Sequence, residues 1–338
     1  PRQDPWPADE SLGGFFRRRF GSEAFDFLIE PLVAGIYAGD ADELSIESTF
    51  PRFRELEREY GSVIKGMRVA RAKAATASPP PAGASTLFMS LRSGLGQLIR
   101  SLVQKLHERK VCLIAGNGCV EVQPPTLESS PFQVTLASGE RLTAEAVVLA
   151  TPAFQTARLL RALQPEVASL LDSIPYASTA TISMTYPTDA IGSRIRGFGF
   201  VVPRKEQRSL LAGTWTSLKW PDRSRAGTTL IRCYVGGRGR ETILEQDDQQ
   251  LVEGVRRELE AIVGLTAVPK YTEIHRWMRG MPQYVLGHQD RLVKIQKFMA
   301  ERPGLYVTGA GLYGIGIPDC IREGTKVGHK LIQDLCPK

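Results

Sequence analysis

The chain has 338 residues, 42% of them apolar and 23% charged, with a net charge of +7. That is enough apolar material for a real core and about two domains, while no apolar run reaches the roughly 18 residues a membrane span needs. Five cysteines (Cys112, Cys119, Cys233, Cys320 and Cys336) show neither C-x-x-C nor Cys/His ligand spacing, which argues against a zinc site or disulfide framework and for a reducing compartment. The basic residues are scattered, and the densest group is Arg17, Arg18 and Arg19. Nucleic acid is therefore not expected as the main partner, and a solvated basic surface or an anionic lipid surface remains. Residue 1 is proline, and the opening "PRQDPWPADESLGGFF" reads like the interior of a longer protein, so a fragment or a processed chain is expected.

In chain order, residues 8–74 carry helical spacing. Within them Ser48 and Thr49 are cap candidates, and Pro51 an early helical residue. "TASPPPAGAS", 76–85, is a loop or linker. A helix is predicted over 94–109, then short strands at "KVCLIAG" and "CVEVQ". Two strands joined at Ser138-Gly139 follow, and "AVVLA" has the continuous apolar look of a sheet interior. After Pro152 comes an amphipathic helix. Residues 174–240 read as an antiparallel sheet, 247–265 as a helix with Asp247 and Asp248 at its positive end. "TEIHRWMRGMPQYVLGH" is extended, "RLVKIQKFMAE" helical, and "GLYVTG" a strand leading to a glycine turn and a last helix from about Pro318.

Gly309, Gly311 and Gly314 in that turn spell G-x-G-x-x-G. A dinucleotide fingerprint needs a further helix, strand and acidic residue beyond it, and only 24 residues, Lys338 the last, follow Gly314 in this sequence. A helix N-terminus offers unpaired N–H groups and partial positive charge, suited to a phosphate or to the N1–C2=O edge of a flavin. The alternative is a tight strand-to-helix turn that binds nothing. The four histidines, His107, His275, His288 and His329, are dispersed, and no Ser/His/Asp arrangement stands out.

Four stretches, "GIYAGDADELSIESTFPRFRELEREYGS" (35–62), "GFGFVVP" (197–203), "MPQYVLGH" (281–288) and "GAGLYGIGIPDCIREG" (309–324), resemble protoporphyrinogen oxidases, within the amine-oxidase-like flavoproteins. The resemblance covers nearly the whole chain. It implies a mixed α+β and α/β fold of the FAD-linked reductase type. Its parts would be a helical membrane-binding region over 1–90, part of a dinucleotide-binding domain over 91–151, an antiparallel-sheet substrate domain over 152–300, and a closing strand-turn-helix of the FAD domain over 301–338. It also implies that the family's N-terminal βαβ unit, and an arginine there that binds a substrate propionate, lie outside this chain.

Carried over residue by residue, the resemblance implies FAD contacts at Gly309, Gly314, Ile315, Gly316 and Ile317, an adenine-end backbone contact at Val120, and Trp277 near the flavin. On the residues alone, Val120 is a core strand residue and Trp277 a half-buried aromatic. "TPAFQTARLL" resembles the segment lining the tetrapyrrole slot, which makes Thr156 and Leu159 substrate candidates with Phe154 beside them; otherwise Leu159 is ordinary helix core. Phe15, Phe16, Phe20, Phe25, Phe27 and Leu28 with the three arginines could form a face that docks on anionic headgroups.

The implied activity is FAD-dependent oxidation of protoporphyrinogen IX to protoporphyrin IX, with O₂ as final acceptor. The cofactor would carry the redox chemistry and the protein orientation and exclusion of water. No protein acid or base is assigned. A peripheral position on the cytoplasmic side of a bacterial membrane, or on an organelle membrane, follows from the resemblance, with a cytoplasmic protein as the alternative and a homodimer left open. The rival readings are a coproporphyrinogen III oxidase, whose substrate bears four propionates and calls for a more cationic slot rim; a relative acting on amines or carotenoids; and a non-catalytic tetrapyrrole-binding or membrane-docking protein.

Overall fold

A computed structural model of the chain describes residues 9–76, 89–125, 130–191, 195 and 197–336. Its longer helices are α1 (Leu12–Phe20), α2 (Glu30–Tyr37), α3 (Pro51–Tyr60), α4 (Val63–Thr76), α5 (Gly96–Glu108), α6 (Ala153–Leu160), α7 (Pro165–Asp172), α8 (Asp248–Val263), α9 (His288–Ala300) and α10 (Ile317–Leu335). Its strands are β1 (Cys119–Gln123), β2 (Phe132–Leu136), β3 (Arg141–Ala144), β4 (Val147–Leu149), β5 (Tyr176–Pro187), β6 (Gly199–Val201), β7 (Leu210–Trp215), β8 (Thr228–Gly236), β9 (Tyr271–Pro282) and β10 (Leu305–Val307). They fall into two compact units, one of Pro1–Cys112 with Ala177–Met281, the other of Leu113–Tyr176 with Pro282–Lys338.

The first unit is built on a five-stranded sheet in the order β6-β7-β8-β5-β9. Strand pairs β6–β7, β7–β8 and β8–β5 are antiparallel. Ala180, Ile182, Met184 and Tyr186 of β5 alternate with exposed or half-buried neighbours, and Ile231, Cys233 and Val235 of β8 do the same. These buried residues form one core with Leu251, Val255 and Leu259 of α8, because successive strand side chains point to opposite faces. Asp247 caps α8 by accepting the N–H of Gln250 at 2.8 Å, and Gly264 closes it in the left-handed conformation.

The helical part of this unit is held by buried charge. Glu57 is fully buried and takes ion pairs from Arg54 (2.9 Å), Arg18 (2.8 Å) and Arg19. Arg54, itself fully buried, also meets Glu47 and Glu10, each at 3.3 Å. The three arginines expected to flank a docking face are engaged in ion pairs: Arg17 with Asp42, and Arg18 and Arg19 with Glu57. Phe15, Phe16 and Phe25 are buried, whereas Phe27 and Leu28 are exposed. Neither Ser48 nor Thr49 caps α3, whose N-cap position is Phe50 with no side-chain hydrogen bond; both lie in the short helix Ile46–Thr49, which Ser45 caps by accepting the Ser48 N–H. Among the described residues no helix is long and apolar enough to cross a membrane.

The second unit contains an antiparallel β1-β2-β3 sheet and a parallel β10-β4 pair. Its core joins Leu149 and Leu305 of the parallel pair to Ala153, Ala157 and Leu160 of α6, Val167 and Leu171 of α7, and Leu292 and Ile295 of α9. The "KVCLIAG" strand does not form, and Val111, Leu113 and Ile114 are exposed. "AVVLA" pairs only with β10 among the described residues and leaves Val148 40% exposed, so it is not a sheet interior here. The proline-rich loop expected at 76–85 lies almost wholly outside the described residues.

Removing one partner of a buried ion pair strands the others. Glu57→Gln is expected to cost about 3 kcal/mol of stability at neutral pH, read from urea denaturation. Burial opposes the charged Glu57, yet the hydrogen bonds and charges of Arg18 and Arg19 outweigh it and hold its carboxyl below the ordinary value near 4.5. The stabilisation is therefore full above about pH 4.5 and is lost as pH falls through the lower folded-state value. The gap between wild type and variant should close over that acid range; a gap constant with pH would contradict the assignment.

Candidate active site

The face of the five-stranded sheet opposite α8 floors a slot of about 900 Å³. Thr179 and Thr181 of β5, Ala212 and Thr214 of β7, and Tyr234 of β8 form the floor; Trp277, Gly280 and Met281 of β9 and Phe198–Val201 form its sides. Leu32, Ala34, Gly35 and Ile36 of α2, with Ala38, form the opposite wall. The lining is chiefly apolar with a few hydroxyls, and among the described residues Lys219 is the one ionisable cation that contributes to it. A wide apolar cleft of this size with sparse polar groups suits a bulky, mostly apolar ligand.

Helix α2 is fastened to the strands it faces. The buried carboxylate of Glu30, in its first turn, accepts the backbone N–H of Arg204 at 3.0 Å. Burial pushes this carboxyl upward, against the opposing pull of that N–H and of Arg240 and Arg204. Beyond its other end Asp40 pairs with the Arg204 guanidinium at 2.7 Å, and the Ala38 carbonyl accepts the N–H of Arg238 at 2.7 Å. Ala38 closes α2 in the left-handed region, at φ 49°. At the sheet edge β6 and β7 approach so closely that a Cβ on Gly199, at φ 146°, would lie 2.2 Å from the Gly213 carbonyl oxygen. Local sequence shows the helix and the strands; only the fold shows the ties.

In the second unit the closing turn is more structured than the bare glycine spacing implied. The Thr308 N–H donates to the Leu149 carbonyl at 3.0 Å, and Gly309, at φ 122°, stands two residues past the end of β10. A short helix, Ala310–Tyr313, intervenes, so Gly311 sits inside a helical turn and Gly314, at φ 135°, joins it to α10. Tyr284 braces this joint: its hydroxyl donates to the Ala310 carbonyl and accepts the Gly314 N–H at 2.8 Å. The His288 ring stacks on Tyr284 at 4.3 Å, and its Nε2 lies 3.0 Å from the Leu312 carbonyl. Both residues belong to "MPQYVLGH", and spacing alone does not disclose their role in bracing the turn.

Helix α10 runs for 19 residues from Gly316, which has no side chain to cap it. Its first-turn N–H groups therefore lie at an end with partial positive charge. Asp319 fills the space beside Gly314 and Gly316, and pairs with Arg322 at 2.7 Å. The uncapped start of α10 thus offers partial positive charge, while the Asp319 side chain occupies the space that Gly314 and Gly316 leave. No group of His, Cys, Asp and Glu that could hold a metal occurs among the described residues.

The site residues named from sequence do not all share a setting. Gly309, Gly314, Ile315, Gly316 and Ile317 form one continuous turn, in the second unit. Val120, on β1 of that unit, is 41% exposed and so is not a core residue. Trp277 belongs to the first unit, where it lines the slot and is 56% exposed. Thr156 is fully buried in α6 with its hydroxyl 2.8 Å from that of Thr151, and Leu159 packs on the core of the second unit. Thr156 lies in the interior, while Leu159 is half-buried at the edge of that core.

The family model for flavin containing amine oxidoreductases matches residues 2–329. The chain is 36% identical to the coproporphyrinogen III oxidase of Bacillus subtilis (strain 168), over 94% of this chain and 66% of that protein. It is 28% identical to the chloroplastic protoporphyrinogen oxidase 1 of Spinacia oleracea, over 99% of this chain and 62% of that protein. The chain thus spans about two thirds of the length of these relatives. Among solved structures, a protein from Exiguobacterium sp. 255-15 assigned as a protoporphyrinogen oxidase superposes with a TM-score of 0.79 at 31% identity, covering 98% of this chain and 69% of that one.

The turn yields a pair of contrasting substitutions. Gly314→Ala places a Cβ 2.6 Å from the Asp319 Cβ at a strained φ and is expected to cost about 2–3 kcal/mol. Gly324→Ala, with nothing within 4 Å of the added Cβ, should be neutral or stabilising by up to about 1 kcal/mol. Chemical denaturation of both variants checks this, and equal effects would contradict the geometry.

Proposed function

The chain belongs to the flavin-containing amine oxidoreductase family, and from that premise we propose that it is the substrate-holding part of an FAD-dependent, O₂-consuming porphyrinogen oxidase. The observation that carries this reading is the slot of about 900 Å³ between α2 and the sheet, wide and apolar enough for a reduced tetrapyrrole. Conversion of a porphyrinogen to its porphyrin removes six hydrogens in three two-electron steps. A bound flavin supplies the hydride acceptor and hands the electrons to O₂.

The chain's own residues hold and shield. Ala34, Gly35 and Ala212 keep the slot clear for a flat, bulky ring system, and Phe198 and Trp277 offer aromatic faces at its sides. The ties from Glu30 and Asp40 to Arg204 hold the α2 wall at a set distance from the floor. In the other unit, the Tyr284 brace holds the Gly309–Gly316 turn so that the uncapped start of α10 can receive the flavin ring. Val120 would lie along the adenine end. No side chain is given a proton-transfer role.

The resemblance alone puts protoporphyrinogen IX first. The identity of 36% to a coproporphyrinogen III oxidase, against 28% to a protoporphyrinogen oxidase, supports coproporphyrinogen III instead as the substrate. Contact with a membrane surface draws support only from exposed apolar residues such as Phe27 and Leu28, since the neighbouring arginines are engaged in ion pairs.

The test is porphyrin fluorescence developing from coproporphyrinogen III in air with the FAD-loaded protein. Porphyrin should form well above the rate of autoxidation. Gly35 lines the slot, and open space surrounds the position of an added Cβ. Gly35→Phe should therefore fill the cleft without straining the helix, leaving the melting temperature near wild type and lowering the rate at least ~10-fold, as for loss of positioning. Wild-type protein no faster than autoxidation would overturn the reading.

A further inference from the structure

Lys219 contributes to the slot lining, and Arg232 lies one row of the sheet beyond Tyr234, outside that lining. We propose that Arg232 and Lys219 form a carboxylate-binding edge that takes the acidic side arms of the tetrapyrrole. The inference rests on the porphyrinogen reading and identifies which end of the slot meets the substrate's charge.

The strand register fixes the place. Ala212, Tyr234 and Thr181 lie opposite one another across β7, β8 and β5, and all three line the slot. Thr214, Arg232 and Ser183 make a further row two residues along, on the same face. Ile231, Cys233 and Val235 point into the core on the other side, so Arg232 shares the slot face with Tyr234. Rows two residues apart are separated by about 7 Å, within reach of a propionate arm from a ring seated over Tyr234.

Lys219 comes to the same end from the chain that leaves β7. It closes the short helix Thr216–Lys219, and the Ser217 hydroxyl in that helix accepts the Leu230 N–H at 3.0 Å. That bond ties the helix to β8 two residues before Arg232, and Lys219 itself contributes to the slot lining. Arg232 is half-buried, and its Nε donates to the Ser183 hydroxyl at 3.2 Å. Among the described residues no carboxylate lies within ion-pair distance of Arg232. Its contrast is Arg54, which is fully buried and surrounded by Glu10, Glu47 and Glu57.

The Ser183 hydroxyl takes the Arg232 Nε–H, and a guanidinium carries five N–H donors, so its terminal nitrogens are left to face a carboxylate. A planar fork fixed by a hydroxyl is preorganised for a carboxylate, and the longer lysine can follow a second arm. Coproporphyrinogen III carries a carboxylate arm on every ring. An edge of this kind recognises those arms rather than the macrocycle, which the apolar part of the slot holds.

Coproporphyrin III and its tetramethyl ester share one ring system and differ in charge, so equilibrium binding of the two to the FAD-loaded protein separates these contributions. Arg232→Gln should weaken the free acid about 10-fold, and Lys219→Met about 3-fold, with the ester changed less than about 2-fold in each case. Arg232→Lys should recover part of the loss. Lys219 is exposed, so its variant keeps the test valid should Arg232→Gln fold poorly. Acid and ester affected alike, or neither affected, would overturn the carboxylate edge while leaving the slot assignment standing. Wild-type protein that binds neither pigment would overturn the slot and the edge together.

Discussion

A strand turns only every second side chain to a given face, and β5 and β8 use that constraint for two purposes at once. The residues on one face, Ile182, Met184, Ile231 and Cys233 among them, are fully buried against α8 and carry the stability of the first unit. Those on the other, Thr179, Thr181 and Tyr234, are left to floor the slot. A shift of register by a single residue would exchange the faces and destroy core and slot together. The long, regular pairing of β5 with β8, from Thr179 opposite Gly236 to Pro187 opposite Thr228, is what prevents it.

Polar ties then set what the sheet alone cannot. Hydrophobic burial is non-directional and does not determine how far α2 stands from the strands. Glu30, Asp40 and the Ala38 carbonyl do, through Arg204 and Arg238. The Arg54–Glu57 network performs the same service for the surrounding helices: buried charges need particular partners in particular positions, so they specify one arrangement at some expense of stability. In the second unit Tyr284 and His288 fix a turn whose glycines could otherwise adopt many conformations. In each case a cleft or turn that must stay open is held by polar groups behind it.

Much of this was legible in the sequence where periodicity is strong and local. The antiparallel strands within 174–240 and the helix opening at Asp247 and Asp248 are read directly from residue order. Helix α5 was legible as a helix, yet Leu98, Ile99, Leu102 and Val103 on its apolar side are exposed, because amphipathicity announces a face without naming what covers it. "KVCLIAG" shows the companion problem: a strand exists only through its pairing, and none of the described strands pairs with it. The site was harder to read. The glycine turn was found from its spacing, but its brace lies 26 and 30 residues away along the chain. Thr156 is a slot candidate by resemblance, and only the fold shows that it is buried with its hydroxyl 2.8 Å from that of Thr151. Arg232 gave no signal at all, since its meaning depends on which face of β8 it occupies.

The central claim is that this chain presents a porphyrinogen to a flavin. The most direct measurement is anaerobic mixing of FAD-loaded protein with coproporphyrinogen III while the visible absorption of the flavin is followed. With O₂ excluded, the flavin band should bleach at a rate that rises and saturates with porphyrinogen concentration, and porphyrin precursor should be consumed in step with it. A flavin that stays oxidised at saturating porphyrinogen would contradict the account.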